Sequence, residues 1–214
     1  MDRAMQTPPS LTTGGIVLCG GYSRRMGRPK HLLPFGQRTM LEHVVSRLSE
    51  AVSPVVVVSA AGQELPRLPA DVLITHDEIP DAGPLAGILA GLEALGDSTD
   101  AAFATSCDSP LLQTNFVLAM INSLGSHLLA IPRQGKYLHP LAAIYRTGLA
   151  ETIRSLLAEG QRRPVCLLDH VSSIEIDVAS LAHADPHMDS LRNINTPAAY
   201  KAMLDECGFL EQSL

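Results

Sequence analysis

The sequence predicts an α/β domain in which a largely parallel sheet is covered by helices on both faces. Three observations predict it. Short apolar runs alternate along the chain with segments of helical period, the first run opens into a double glycine, and hydrophobic residues fill 46% of the 214 positions, enough for one packed interior. A chain of this length suits a single unit, expected over 13–205 between loose tails at 1–12 and 206–214.

The first strand is predicted at 15–19, where Gly15-Ile16-Val17-Leu18 forms a short apolar run bounded by glycines. A helix follows over 39–50. It carries Met40, Leu41, Val44, Val45 and Leu48 on one face behind Thr39 as N-cap. Pro54 opens a second strand at 54–59, and a third is predicted at 72–75. Next comes a loop rich in Asp, Pro and Gly, then a helix from Pro84 to Leu95 with Leu85, Ile88, Leu89, Leu92 and Leu95 at helical spacing. Further strands are predicted at 101–106, 128–131 and 141–146. A strand-like stretch ends at 191–195, and a helix over 197–205 starts with Thr196 as N-cap and Pro197 at its first position.

In such sheets ligands bind beyond the carboxyl ends of the strands. Four segments should meet there: 20–30, 76–84, 106–110 and 59–63. The first reads Gly20-Gly21-Tyr22-Ser23-Arg24-Arg25-Met26-Gly27-Arg28-Pro29-Lys30. Gly20, Gly21 and Gly27 let bare backbone N–H groups approach an anion, and Arg24, Arg25 and Lys30 add charge. This is the layout of a triphosphate-binding loop. A Walker loop is excluded, because Arg28 and Pro29 separate Gly27 from Lys30 and His31 follows the lysine. The dinucleotide fingerprint fails on the adjacent Gly20 and Gly21. A nucleophile elbow at Ser23 would set Arg25 where a small residue is needed. One lysine about 4 Å from a phosphate charge is worth about 4 kcal/mol before desolvation at an effective dielectric of about 20.

The formal charge of −6 argues against a general nucleic-acid binder. Cys19, Cys107, Cys166 and Cys207 are scattered without a C-x-x-C pair, which predicts neither a disulfide framework nor a thiolate zinc site and fits a reduced cytoplasmic setting. No run is long enough to cross a bilayer, and residues 1–12 lack a signal-peptide core. His183 and His187 stand four apart, but Pro186 between them points to a surface loop rather than a metal pair.

Residues 101–108 deliver Asp108 to the strand ends. Beside a triphosphate loop that carboxylate is the expected ligand of Mg²⁺, a hard cation that takes oxygen ligands and bridges phosphates. Asp77 and Asp81 compete for a nucleotide contact after the third strand. Asn193 and Asn195, flanking Ile194, are left unexplained by helix capping and should face a polar substrate together.

These motifs resemble those of the molybdenum cofactor guanylyltransferases, within the small nucleotidyltransferase superfamily. The resemblance rests on Leu18 to Lys30, Gly83-Pro84-Leu85-Ala86-Gly87, Cys107-Asp108-Ser109-Pro110, His139-Pro140-Leu141 and Asn193-Ile194-Asn195-Thr196-Pro197, in the family's order across nearly the whole chain. It implies a Rossmann-like three-layer α/β/α fold of the nucleotide-diphospho-sugar-transferase type. It also implies transfer of GMP from GTP to molybdenum-molybdopterin. Leu18, Cys19, Gly20 and Lys30 would contact GTP, with Asp77 and Asp108 also at the nucleotide and Asp108 binding Mg²⁺. Lys30 and Arg25 would offset charge on the triphosphate, and Asn193 and Asn195 would lie toward the pterin. Molybdopterin-carrying proteins and molybdoenzyme chaperones are the implied protein partners. The chain carries Ser59 where the family often has Asn, and the spacing Arg28-Pro29-Lys30 also resembles the cytidylyl relatives. A sugar-1-phosphate transferase and a non-catalytic GTP-binding adaptor are the other readings.

Overall fold

The structure, a computed structural model, describes residues 11–20, 28–77 and 83–209. Ten strands and five α-helices follow one another among these residues: β1 (Thr13–Leu18), β2 (Pro34–Phe35), β3 (Arg38–Thr39), α1 (Met40–Ser49), β4 (Val55–Ala60), β5 (Leu73–Asp77), α2 (Pro84–Leu95), β6 (Ala101–Ser106), α3 (Thr114–Ser123), β7 (Leu129–Gln134), β8 (Tyr137–Leu138), β9 (Ala142–Arg146), α4 (Ala150–Ala158), β10 (Ser173–Asp177) and α5 (Pro197–Glu206). The main sheet has the order β10-β7-β9-β6-β1-β4-β5, with β8 on β7.

β1 is the axis of the sheet, pairing in parallel with β4 through Ile16↔Val56 and with β6 through Leu18↔Ser106. β5 adds in parallel to β4. The carboxyl ends of β1, β4, β5 and β6 therefore open on one edge, as the sequence predicts. The strand at 142–146 departs from the parallel expectation: β9 is antiparallel to both β6 and β7. Only seven residues lie between β7 and β9, too few for the crossover a parallel neighbour requires.

Alternation along β1 divides the core. Ile16 and Leu18 face α2 and α4, while Val17 and Cys19 face α1 and α3. Each fully buried aliphatic side chain in these layers contributes about 1.5–3 kcal/mol. α1 is fixed at its start by a capping box, since Thr39 Oγ1 accepts from Glu42 N at 3.3 Å and Glu42 Oε2 accepts from Thr39 N at 2.7 Å. α2 lies unusually close to β1. A Cβ on Gly91 would stand 2.7 Å from Ile16 Cγ2, and one on Gly87 3.0 Å from Leu18 Cδ2.

A third, smaller cluster joins Leu33, Phe35 and Met40 to Ile194, Tyr200, Met203 and Leu204. Tyr200 donates its hydroxyl hydrogen to Pro34 O, and the Phe209 ring meets Phe35 edge-on with centroids 5.1 Å apart. Residues 206–209, expected in the tail, are thus packed, because Phe209 finds an apolar partner in the β2–β3 hairpin. The strand expected to end at 191–195 is absent. Asp189–Leu191 is a 3-10 turn instead, and the buried Ile194 belongs to the third cluster. β10 went unforeseen because only Ile174 and Ile176 give it apolar character, and it sits at the sheet edge beside β7. No helix among the described residues is long and apolar enough to cross a membrane.

Candidate active site

Asp108 stands two residues beyond β6, at the parallel edge. Ser106 Oγ donates to its Oδ1 at 2.6 Å, and Lys30 Nζ reaches its Oδ2 at 2.7 Å. Both carboxylate oxygens are therefore engaged. Lys30 opens the 3-10 turn Lys30–Leu32, and its ammonium also donates to Asn195 Oδ1 at 2.9 Å. The ion pair is largely shielded, with side chains 16% and 12% exposed, so solvent weakens it less than a surface pair.

The segment 193–195 is tied to the turn after β6. Ile194 N donates to Asp108 O at 2.9 Å, and Ser109 Oγ donates to Asn193 Oδ1 at 3.0 Å. Burial of Ile194 between the two asparagines explains why both carbonyl oxygens arrive at this edge. Upstream, the buried Asp185 shapes the approach, its carboxylate accepting from Asp189 N at 3.0 Å and Ser190 N at 2.8 Å. Ser190 Oγ in turn accepts from Gln113 N. The stretch expected to be a plain surface loop is therefore an ordered strap, and the Asp185-Pro186 step was the signal for it. No group of three or more His, Cys, Asp or Glu that could hold a metal ion exists among the described residues.

Cys19 and Cys107 follow the last paired residues of β1 and β6 and share one face of the sheet. A hydrogen bond from the Cys107 thiol brings Cys19 down to about 6 against its burial, with His31 and Gln63 assisting. The same contact and burial push the Cys107 thiol up. His139 begins the connection into β9, and burial holds it below the ordinary histidine value. Its Nε2 has no hydrogen-bond partner among the described residues. A recess of about 210 Å³ lies between 138–142 and residues Ser190, Leu191 and Asn193.

Residues 15–173 match the MobA-like NTP transferase domain. The chain belongs to that family. This MobA-like chain is accordingly a nucleotidyltransferase. It is 36% identical over 200 residues to a protein of Mycobacterium tuberculosis H37Rv named "Probable molybdenum cofactor guanylyltransferase", covering 91% of this chain and 94% of the relative. A protein of the same name from Mycobacterium avium is 37% identical over 199 residues, covering 91% and 96%. Among solved structures, molybdopterin-guanine dinucleotide biosynthesis protein A of Archaeoglobus fulgidus superposes with a TM-score of 0.75 at 22% identity, over 91% of this chain and 98% of that one. The 2-C-methyl-D-erythritol 4-phosphate cytidylyltransferase of Thermus thermophilus does so at 0.66 and 15%, over 90% and 98%. At these identities the superpositions speak for the Rossmann-like fold alone.

The MobA-like frame brings most of the expected residues to one edge. Leu18 ends β1 against Gly87, Cys19 is buried and Gly20 exposed, and Asp77 ends β5 opposite Ala60. Lys30, Asp108 and Asn195 make direct contact, with Asn193 one link away. Gly21, Arg25 and Asp81 lie outside the described residues. In the Gly83-Pro84 start of α2, Gly83 has φ +76°, and a Cβ there would meet Arg162 O at 2.9 Å, so glycine is required. Ser59 is buried with its Oγ 2.9 Å from His76 Nδ1. Sequence reasoning missed Ser106, which binds Asp108 two residues on, and His31 and Gln63, whose side chains meet across 32 positions with no local signature.

Proposed function

We propose that this protein transfers GMP from GTP to the terminal phosphate of molybdenum-loaded molybdopterin, forming the guanine dinucleotide cofactor and releasing pyrophosphate. The names and near-complete coverage of the relatives support the reaction. The single observation that carries it to these residues is the convergence of Lys30, Asp108 and Asn195 at the parallel edge of the sheet.

In-line attack by a phosphate oxygen on the α-phosphorus demands positioning and charge neutralisation rather than a protein nucleophile. Lys30 supplies a cation already held within reach of the strand ends. On nucleotide binding its ammonium exchanges part of its contact with Asp108 for phosphate oxygens, while Asn195 keeps it in place. Arg25 adds a second charge to the triphosphate and the departing pyrophosphate. Leu18, Cys19 and Gly20 line the nucleotide, Asp77 takes the ribose or base, and Asn193 and Asn195 turn their amides toward the pterin.

The donor set at Asp108 fits Mg²⁺. This ion is commonly held by one or two carboxylates and completes its shell with water and substrate phosphates, so a single aspartate at the strand ends is a suitable anchor. When bound there, it offsets phosphate charge and polarises the α-phosphoryl group. The reaction belongs in the cytoplasm, where reduced cysteines and GTP are both at hand. Carrier proteins that deliver molybdopterin and chaperones that accept the product are the proposed protein partners.

The test is nucleotide binding by Lys30→Ala in the presence of Mg²⁺. Removal of one cation from the triphosphate should weaken GTP binding and slow transfer together, by about tenfold or more. An unchanged kcat/KM would return Lys30 to the ordinary surface lysines.

A further inference from the structure

Gln63 lies on the turn that closes β4, its backbone N–H bonded to Ala60 O at 3.1 Å. Its side chain reaches three separate segments. Oε1 accepts from Ala60 N at 3.0 Å, and Nε2 donates to Cys19 O at 2.9 Å and to His31 Nδ1 at 3.0 Å, with Cys19 Sγ at 3.5 Å. The two backbone partners fix the amide's orientation, since an N–H needs the oxygen and a carbonyl needs the NH₂. His31 Nε2 lies 2.8 Å from Glu64 O, which can only accept. The ring therefore carries its hydrogen on Nε2 and offers the Nδ1 lone pair to Gln63. Both amide hydrogens and the amide oxygen of Gln63, and both ring nitrogens of His31, thus have a partner.

Cys19 immediately precedes Gly20, and His31 immediately follows Lys30. One amide thus ties together the two residues that flank 20–30. We propose that Gln63 is a positioning residue for the nucleoside triphosphate, fixing the spacing between the end of β1 and the Lys30 turn so that Lys30 meets the phosphates. The inference rests on the nucleotidyl-transfer reading above and adds to it a residue that touches neither phosphate nor metal.

A carboxylate in place of the amide separates this role from simple loop stability. Glutamate has no hydrogen for Cys19 O, and it opposes the His31 lone pair unless that ring is protonated. Besides Gln63, the groups facing His31 are Cys19 and Glu64, the latter through both its backbone carbonyl and its carboxylate charge. Burial disfavours the imidazolium, but Cys19 and Glu64 together outweigh it and hold His31 above 6.5. Acid should therefore mend the network in Gln63→Glu, whereas in the wild type a protonated Nδ1 gains nothing from the Gln63 N–H, donor facing donor.

The experiment measures calorimetric binding of the four nucleoside triphosphates with Mg²⁺ to the full chain, and then compares the variants on the nucleotide that the wild type binds tightest. Gln63→Met should lower kcat/KM for nucleotide by about 10- to 100-fold, with KM for the acceptor unchanged. Between about pH 9 and about pH 6, Gln63→Glu should gain affinity relative to wild type. Nucleotide binding by both variants that tracks the wild type at every pH would overturn the proposal. If Gln63→Met fails to fold, the pH trend of Gln63→Glu decides. Wild-type preference for another triphosphate counts against the guanylyl reading, with Gln63 then judged on that nucleotide, and binding of none overturns both.

Discussion

Lys30 and Asp108, separated by 78 positions in sequence, meet with Nζ 2.7 Å from Oδ2 at the edge where β1 and β6 end side by side. The pair brings opposite charges together at one point, and the proposed mechanism gives the cation to the triphosphate and the carboxylate to the metal ion. Asp108→Asn keeps the shape and the bond from Ser106 but removes the charge. Turnover should fall by about 10²- to 10³-fold or more, with the circular dichroism spectrum unchanged. Near-normal activity at saturating Mg²⁺ would remove Asp108 from the mechanism.

Asn195 accepts from Lys30 at 2.9 Å, so its first effect should be on the nucleotide rather than on the pterin. Hydrogen bonds to charged groups are worth about 1.5–3 kcal/mol, less here because the contact is open to solvent. Asn195→Leu should therefore reduce kcat/KM for GTP by roughly tenfold. Steady-state kinetics with each substrate varied in turn checks this. A rise confined to the acceptor's KM would place Asn195 on the pterin alone.

Gly91 tests the packing that seats α2 on β1. Alanine is the better helix former by about 0.8–1.0 kcal/mol, yet its Cβ would press to 2.7 Å on the stiff, fully buried Ile16. Overpacking costs about 1–3 kcal/mol, so the clash should win. Gly91→Ala should lower the urea midpoint, and a raised midpoint would show that the sheet and helix separate freely.

His43 packs its ring against Phe35 with centroids 4.8 Å apart. Burial, with Arg47 and Arg38 alongside, holds it below the ordinary 6.5. Between the folded value and 6.5 the unfolded chain binds more protons, so stability rises with pH through that window and is complete above it. Acidification below 6.5 should destabilise the protein. His43→Gln should flatten that loss when urea midpoints are compared across the window, and an identical slope would contradict the assignment.

Much of this was legible in the sequence because it depends on local pattern. The period of α1 and its Thr39 cap, the Pro84 start of α2 and the apolar runs of β1, β4 and β6 all follow from spacing and turn chemistry. What was not legible depends on tertiary arrangement. The direction of β9 follows from a short connection, and the packing of Phe209 on Phe35 needs both ends of the chain. Asn193 and Asn195 stood out as unexplained polar residues, but their partners Ser109 and Lys30 could not be named. Gln63 had no signal beyond its place in the 59–63 segment, since its role consists entirely of contacts with Ala60, Cys19 and His31.

The central claim is tested most directly by a mass-resolved product assay of the purified protein with Mg²⁺, molybdenum-loaded molybdopterin and equal amounts of GTP and CTP. The account predicts a guanine dinucleotide with pyrophosphate released. A cytosine dinucleotide, or GTP bound without any pyrophosphate formed, would contradict it.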